Sequence, residues 1–134
     1  MSRLLVIGCG GVAKVAIHKC CQNSGVFKEL CIASRTKEKC DGVKQELEGK
    51  TETVITTAQV NADDKEELVK LIRSYHPDTV LNVALPYQDL TIMDACLECG
   101  VDYVDTANYE PENTDDPEWR AIYEKRCQEE GFTA

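Results

Sequence analysis

The chain has 134 residues, 43% of them hydrophobic and 29% charged, which suits one globular domain with a real core. Asp and Glu number 24 against 15 Lys and Arg, and the net charge of −9 argues against nucleic acid or an anionic membrane as a partner. We expect neither a membrane span nor a signal peptide, since no apolar run approaches the roughly 20 residues that a span needs. These features predict a cytoplasmic protein.

The eight cysteines are expected to be reduced thiols, as is usual in the cytosol. Only Cys96 and Cys99 form a C-x-x-C pair, and a zinc site would need two further ligands at suitable spacing. The two histidines, His18 and His76, lie far apart in the chain. We therefore predict no metal site and no histidine-based nucleophile triad, and we expect Cys96 and Cys99 to pack as small apolar side chains.

Apolar runs and amphipathic stretches alternate along the first half of the chain. Residues 4–7 form an apolar run that ends at a glycine and suits a strand buried on both faces. A helix is predicted from residue 12 to about 23, a second strand over 30–33, and a polar helix over 37–48. The apolar stripes of these two helices are predicted at Val12, Ala13, Ala16, Ile17 and Cys20, and at Cys40, Val43 and Leu47.

The same alternation continues through the second half. Strands are predicted over residues 53–60, 80–84 and 101–104. One helix begins after Asp63, the expected N-cap with Glu66 completing a capping box, and ends before Pro77. Helices are also predicted over residues 88–99 and from Pro117 to before Gly131. A last apolar stripe is expected at Trp119, Ile122, Tyr123 and Cys127, with Asp116 as its cap.

Five strands alternating with five helices predict an α/β fold, a Rossmann-type doubly wound parallel sheet with helices on both faces. The chain stops just where a sixth strand would begin, at residues 132–134. We therefore expect residues 1–134 to be one domain within a longer protein, the alternative being a five-stranded domain complete in itself.

A glycine-rich loop joins the first strand to the first helix. Residues 8–13 fit the pattern G-x-G-x-x-A, and the strand before and the helix after supply the context that gives the pattern meaning. Glycines permit the tight turn and a close approach to a diphosphate, while the small alanine lets helix and strand pack together. The predicted cofactor-binding residues of the loop are Gly8, Gly10, Gly11, Val12 and Ala13.

The end of the second strand indicates which dinucleotide binds. An NAD site usually has an acidic residue there for the ribose 2′-hydroxyl, whereas this chain has Ser34, Arg35 and Thr36. Because the guanidinium of Arg35 can pair with a 2′-phosphate, we predict NADP(H), bound as NADPH, over NAD(H). The missing acid also argues against an S-adenosylmethionine methyltransferase. Asp63 is a further candidate, since the loop after the third strand often borders the adenine.

The loop after the fourth strand should lie beside the ribose and nicotinamide, because ligands bind where the strand order reverses. Its predicted cofactor-binding residues are Asn82, Ala84, Leu85 and Pro86. Tyr87 could contact substrate or only cover the nicotinamide ring, and we favour the covering role slightly.

The end of the fifth strand should lie at the same edge of the sheet. Thr106 and Asn108 are candidates for the substrate side there, although a simple turn that leaves the strand explains them equally well.

With these segments in place, the chain resembles the N-terminal part of the saccharopine dehydrogenase-like family, in particular its carboxynorspermidine (carboxyspermidine) dehydrogenase branch. The resemblance covers nearly all 134 residues. Its specific segments are residues 33–36 (Ala-Ser-Arg-Thr), 82–96 and 103–110. Ala13 stands where a glycine is frequent, a departure that the family tolerates.

The resemblance implies an NADPH-dependent reductive condensation, in which an amine and an aldehyde or keto acid form an imine that is then reduced. It also implies a second domain, beyond residue 134, with most of the substrate pocket and the contacts of a homodimer. A different hypothesis remains open: a non-catalytic NADP(H)-binding regulatory module, since a Rossmann fold alone does not define an activity. A short-chain dehydrogenase is disfavoured, because no Tyr-x-x-x-Lys pair occurs in a suitable place.

Overall fold

The computed structural model describes residues 2–106 and 117–130, in which strands and helices alternate as predicted. The strands are β1 (Arg3–Ile7), β2 (Glu29–Ser34), β3 (Val54–Gln59), β4 (Thr79–Asn82) and β5 (Asp102–Asp105). The helices are α1 (Gly11–Cys21), α2 (Lys37–Leu47), α3 (Lys65–Tyr75), α4 (Asp89–Cys99) and α5 (Pro117–Glu130). A short 3₁₀ turn, Pro86–Gln88, precedes α4. The predicted Asp116 cap and sixth strand lie outside the described residues.

The described strands form one parallel sheet in the order β3-β2-β1-β4-β5. From β1 the chain moves outward to β3 and then returns to place β4 on the other side of β1. The order therefore reverses between β1 and β4, where the loops that follow the two strands diverge and leave a crevice. The predicted doubly wound α/β fold is confirmed.

Two apolar clusters pack on opposite faces of the sheet. One combines α3 and α4 with side chains of β1, β2 and β4, and it includes Leu5, Ile72 and Ile92. The other combines α1 and α2 with the alternate side chains of β1 and β2, and it includes Val6 of β1 and Ile17 of α1. Because both faces of β1 are covered, its apolar run is continuous rather than alternating. None of the described helices is long and apolar enough to cross a membrane.

The apolar stripes of two helices differ from the prediction. Val12 on α1 is 65% exposed, and Cys21 rather than Cys20 is buried, because α1 turns its Ala13 and Ile17 face toward the sheet. On α5, Ile122 is 67% exposed, and the side chains of Trp119, Tyr123 and Cys127 lie outside the described part of the chain. The stripe of α2 and the packing of Cys96 on α4 are as predicted.

The predicted N-cap of α3 is wrong by one residue. The Oδ1 atom of Asp64 accepts hydrogen bonds from the backbone N–H groups of Glu66 (2.9 Å) and Glu67 (3.2 Å). Asp63 instead lies in a tight turn, and its N–H donates to Asn61 Oδ1 at 3.0 Å. The turn thus uses Asp63 and leaves the capping position to the next residue.

Replacing Asp64 with Ala should therefore lower the free energy of unfolding by about 1 kcal/mol, since α3 loses the acceptor of two backbone N–H groups. Urea denaturation of the chain measures this change. Asp63→Ala is the matched control and should change stability by less than about 0.5 kcal/mol. A larger loss for the Asp63 variant would contradict the assignment of the cap.

Candidate cofactor site

The crevice at the carboxyl ends of β1 and β4 has a volume of about 330 Å³. It is bounded by the glycine loop, the end of β2 with the start of α2, the end of β3, and the loop between β4 and α4. Its lining residues are Ile7, Gly8, Cys9, Gly10, Ser34, Arg35, Thr36, Lys39, Val60, Ala62, Val83, Ala84, Leu85 and Gln88. The structure therefore gathers three of the segments that the sequence singled out.

The start of α1 is uncapped and open to the crevice. Gly10 is the N-cap and has no side chain to cap the helix, and the first turn of α1 contains no acidic residue. A Cβ added at Gly10 or Gly11 would meet no atom within 4 Å. The free N–H groups at a helix start attract a phosphate, and the space above these glycines lets it approach the backbone. These features fit the diphosphate of a dinucleotide.

Gly8 has a different role from Gly10. Its φ is +118°, and a Cβ there would lie 2.8 Å from the carbonyl carbon and oxygen of Val83 and 2.9 Å from the nitrogen of Ala84. Its N–H donates to the carbonyl of Ala33 at 2.9 Å. The glycine at this position therefore lets the loop after β1 touch the loop after β4.

Cations border the crevice at the end of β2. Arg35 is exposed, and Gln59 Nε2 donates to its backbone carbonyl at 3.2 Å. The hydroxyl of Ser34 is used locally: it bonds with the carbonyl (3.0 Å) and the N–H (3.1 Å) of Thr36 and with Cys40 Sγ (3.2 Å). Ser34 thus shapes the turn that presents Arg35.

Lys39 is a lining residue that the sequence reasoning missed. It lies in the first turn of α2, near Arg35, and neither cation forms an ion pair within residues 2–106 and 117–130. Positive charge at a helix N-terminus opposes the helix dipole, so this placement was a usable signal of an anion site. Val60 and Ala62, both buried, add an apolar wall that suits a planar base.

The other predicted cofactor residues lie in different settings. Ala84 and Leu85 line the crevice, whereas Pro86, which begins the 3₁₀ turn, and the exposed Asp63 are not among its lining residues. Asn82 is only 3% exposed, and its side chain points into the protein. Contact of each predicted residue with a cofactor, whether or not it lines the crevice, remains a prediction.

The predicted substrate-side residues lie on two segments. Tyr87 is half-buried in the 3₁₀ turn, and Thr106 is exposed just after β5. Asn108 lies outside the described residues. The substrate-side role of these three residues remains a prediction.

A buried polar cluster lies under the β4–α4 loop. Asn82 Nδ2 donates to Asp89 Oδ1 at 2.7 Å and to Tyr103 Oη at 3.1 Å. Tyr103 Oη in turn donates to Asp105 Oδ2 at 2.8 Å. Burial and, to a lesser degree, the negative charge of Asp105 raise the pKa of Asp89, and the hydrogen bond from Asn82 opposes this shift.

The cysteine in the glycine loop is a poor nucleophile. Burial, followed by the neighbouring thiol of Cys40, raises the pKa of Cys9 to about 11. The thiol therefore stays protonated near neutral pH, where reactivity needs the thiolate. Among the described residues, no three His, Cys, Asp or Glu side chains are grouped in a way that could hold a metal ion.

Fold and crevice together define a dinucleotide-binding domain of the Rossmann type. A sequence model of the family described as the saccharopine dehydrogenase NADP binding domain matches residues 4–134. The chain belongs to this family, which confirms the resemblance seen in the sequence and assigns NADP(H) as the cofactor.

Two curated relatives give the level of similarity. The chain is 40% identical over 136 residues to carboxyaminopropylagmatine dehydrogenase of Synechocystis sp., covering all of this chain and 33% of that protein. It is 41% identical over 109 residues to carboxynorspermidine synthase of Vibrio cholerae, covering 78% of this chain and 26% of that protein. The chain thus spans a third or less of the length of these relatives.

Solved structures share the fold. Apo saccharopine dehydrogenase (L-Glu forming) of Saccharomyces cerevisiae superposes with a TM-score of 0.68 at 16% identity, over 83% of this chain and 23% of that one. A short-chain dehydrogenase/reductase of Veillonella parvula in complex with NADP gives 0.60 at 10% identity, over 78% and 46%.

Gly8→Ala and Gly10→Ala should affect different properties, the first mainly stability and the second mainly cofactor binding. The first should lower the free energy of unfolding by about 2 kcal/mol or more, since its Cβ meets backbone atoms and its φ is unfavourable for alanine. The second should cost less than about 1 kcal/mol but weaken NADPH binding about tenfold, by filling the space above the helix start. Denaturation and calorimetric titration measure the two effects, and equal stability losses would contradict the assigned roles.

Arg35→Asp should weaken NADPH binding by well over tenfold and leave NADH binding unchanged, because the substitution puts a negative charge beside the 2′-phosphate. Lys39→Ala should weaken NADPH binding a few-fold. Lys37→Ala is the matched control, because Lys37 pairs with Asp41 and does not line the crevice. Unchanged NADPH affinity in both Arg35 and Lys39 variants, measured by calorimetry, would contradict this assignment.

The raised pKa of Asp89 predicts a pH-dependent stability. A carboxyl whose pKa is higher in the folded state favours folding while it is protonated, and this advantage is lost as the pH rises from the usual Asp value, about 4, through the raised value. The parent chain should therefore lose stability relative to Asp89→Asn over that range. Urea denaturation at several pH values measures the difference. A difference between the parent chain and Asp89→Asn that does not change with pH would refute the prediction.

Proposed function

We propose that this chain is the NADP(H)-binding part of an enzyme that reduces the imine formed from a small-molecule amine and an aldehyde or keto acid. Membership of the saccharopine dehydrogenase NADP-binding family is the observation that carries the proposal. The curated relatives are a carboxyaminopropylagmatine dehydrogenase and a carboxynorspermidine synthase, and both names contain an amine that carries a carboxyl group, the kind of compound that reduction of such an imine gives. The reaction class is therefore oxidoreduction at a CH–NH bond, in polyamine or lysine metabolism.

In this proposal each wall of the crevice has a separate task. The start of α1, with Gly10 and Gly11, binds the diphosphate through backbone N–H groups. Arg35 and Lys39 bind the 2′-phosphate, and the loop with Ala84 holds the reactive end of the cofactor. Bound NADPH supplies the hydride, and the protein positions it and keeps out water.

The substrate pocket and the interface of a homodimer are proposed to belong to a further domain of the same protein. The length of the curated relatives, three to four times that of the matched region, supports this division. Tyr87, in the 3₁₀ turn before α4, and Thr106, just after β5, would face that domain. We further propose that the whole enzyme acts in the cytoplasm, which agrees with the seven unpaired cysteines of the described residues.

The test has two stages. Calorimetric titration of the chain should show binding of NADPH and 2′,5′-ADP and much weaker binding of NADH. The full-length protein should then oxidise NADPH only when a diamine and an aldehyde that bears a carboxyl group are both present. Tight NADPH binding without any turnover on such pairs would contradict the enzyme proposal and favour a regulatory module.

A further inference from the structure

Asn82 connects three parts of the fold at the end of β4. Its Nδ2 donates to Asp89 Oδ1 at the start of α4 and to Tyr103 Oη on β5, and its Oδ1 accepts from the N–H of Ala84 at 2.9 Å. Both donor positions and one acceptor position are thus occupied inside the protein. The side chain is 3% exposed, and these three hydrogen bonds fix its orientation.

The backbone that Asn82 holds is a wall of the crevice. Val83, Ala84 and Leu85 line it, and the carbonyl of Val83 and the nitrogen of Ala84 lie directly against Gly8. A displacement of this wall would therefore change the half of the crevice that lies away from Arg35. It would leave the residues around Arg35 in place, because they belong to β2 and α2.

The acceptor for Asn82 is unusual, because Asp89 is buried with one oxygen unused. Asp89 is 3% exposed, and within the described part of the chain its Oδ2 has no hydrogen-bond partner. A buried polar atom without a partner costs stability, so an apolar side chain would serve the core better. A carboxyl at this position is explained if it fixes the position of the β4–α4 loop rather than adding to the stability of the fold.

We propose that Asp89 is a positioning residue that acts through Asn82 to fix the Val83–Leu85 wall against which the reactive end of NADPH lies. The inference rests on the proposed function only in that it takes the crevice to be the NADP(H) site. It predicts that loss of the Asp89 acceptor loosens Ala84, which Asp89 itself does not bond, and weakens only those ligands that reach this wall.

The experiment compares NADPH with 2′,5′-ADP, which lacks the nicotinamide half. Asp89→Ala should weaken NADPH binding about fivefold and change 2′,5′-ADP binding by less than about twofold. It should also speed hydrogen exchange at the Ala84 amide and leave the amide of Val69, in the core of α3, unchanged. Asp89→Asn keeps an acceptor oxygen and should restore both properties. Asp94→Ala, at an exposed position on the same helix, is the control.

A second variant tests the inference in case Asp89→Ala does not fold. In the double substitution Asn82→Leu with Asp89→Leu, both partners of the buried Asn82–Asp89 hydrogen bond are removed together, so neither is left without the other. It should fold and still lose NADPH affinity selectively.

Equal losses for NADPH and 2′,5′-ADP, or parent-like NADPH binding in both the Asp89→Ala and the double variant, would overturn the inference. If the parent chain itself fails to bind NADPH, the proposed function falls. Parent-like exchange at Ala84 in Asp89→Ala would overturn the positioning role whether or not the cofactor binds.

Discussion

The close contact between the loops that follow β1 and β4 is the constraint on which the site depends. Gly8 meets the backbone of Val83 and Ala84 at distances that leave no room for a side chain. This contact sets how far the glycine loop can move from the β4–α4 loop, and hence the width of the crevice. The glycine loop and the Val83–Leu85 wall, which we propose to hold the diphosphate and the reactive end of NADPH, are therefore built as one unit, with its rigidity supplied by the two buried faces of the sheet.

The polar groups at the two ends of the crevice have different partners. At one end, Arg35 and Lys39 lack ion-pair partners among the described residues, so their charge is available to a ligand. At the other end, the polar groups of Asn82, Tyr103 and Asp105 are directed at one another beneath the surface. This division matches a cofactor whose phosphates give affinity and whose nicotinamide must be held in one orientation.

The sequence predicted the site unevenly, and each miss has a physical cause. Gly8 and Gly10 belong to the same motif. Only the structure shows that Gly8 packs against the backbone of Val83, whereas the space above Gly10 is open to a ligand. Asn82 ends β4, but only the structure shows that its side chain turns to the buried side and bonds with Asp89 seven residues later, and its predicted contact with the cofactor stays a prediction. The capping pattern predicted Asp63 as the N-cap of α3, but Asp63 belongs to the turn that begins at Asn61, and Asp64 caps the helix instead.

By itself, the sequence determined the order of strands and helices, the parallel sheet, the glycine loop and the preference for a 2′-phosphate. These features depend on local periodicity, on glycine and proline, and on the residue type at the end of one strand. Each of these signals comes from residues that are close together in the chain. Only the tertiary structure decided that Lys39 joins Arg35 at the crevice, that Asn82 turns inward, and that Asp89 is buried beside Asp105. Such relations arise between segments distant in the chain, where packing rather than local pattern fixes which side chains meet.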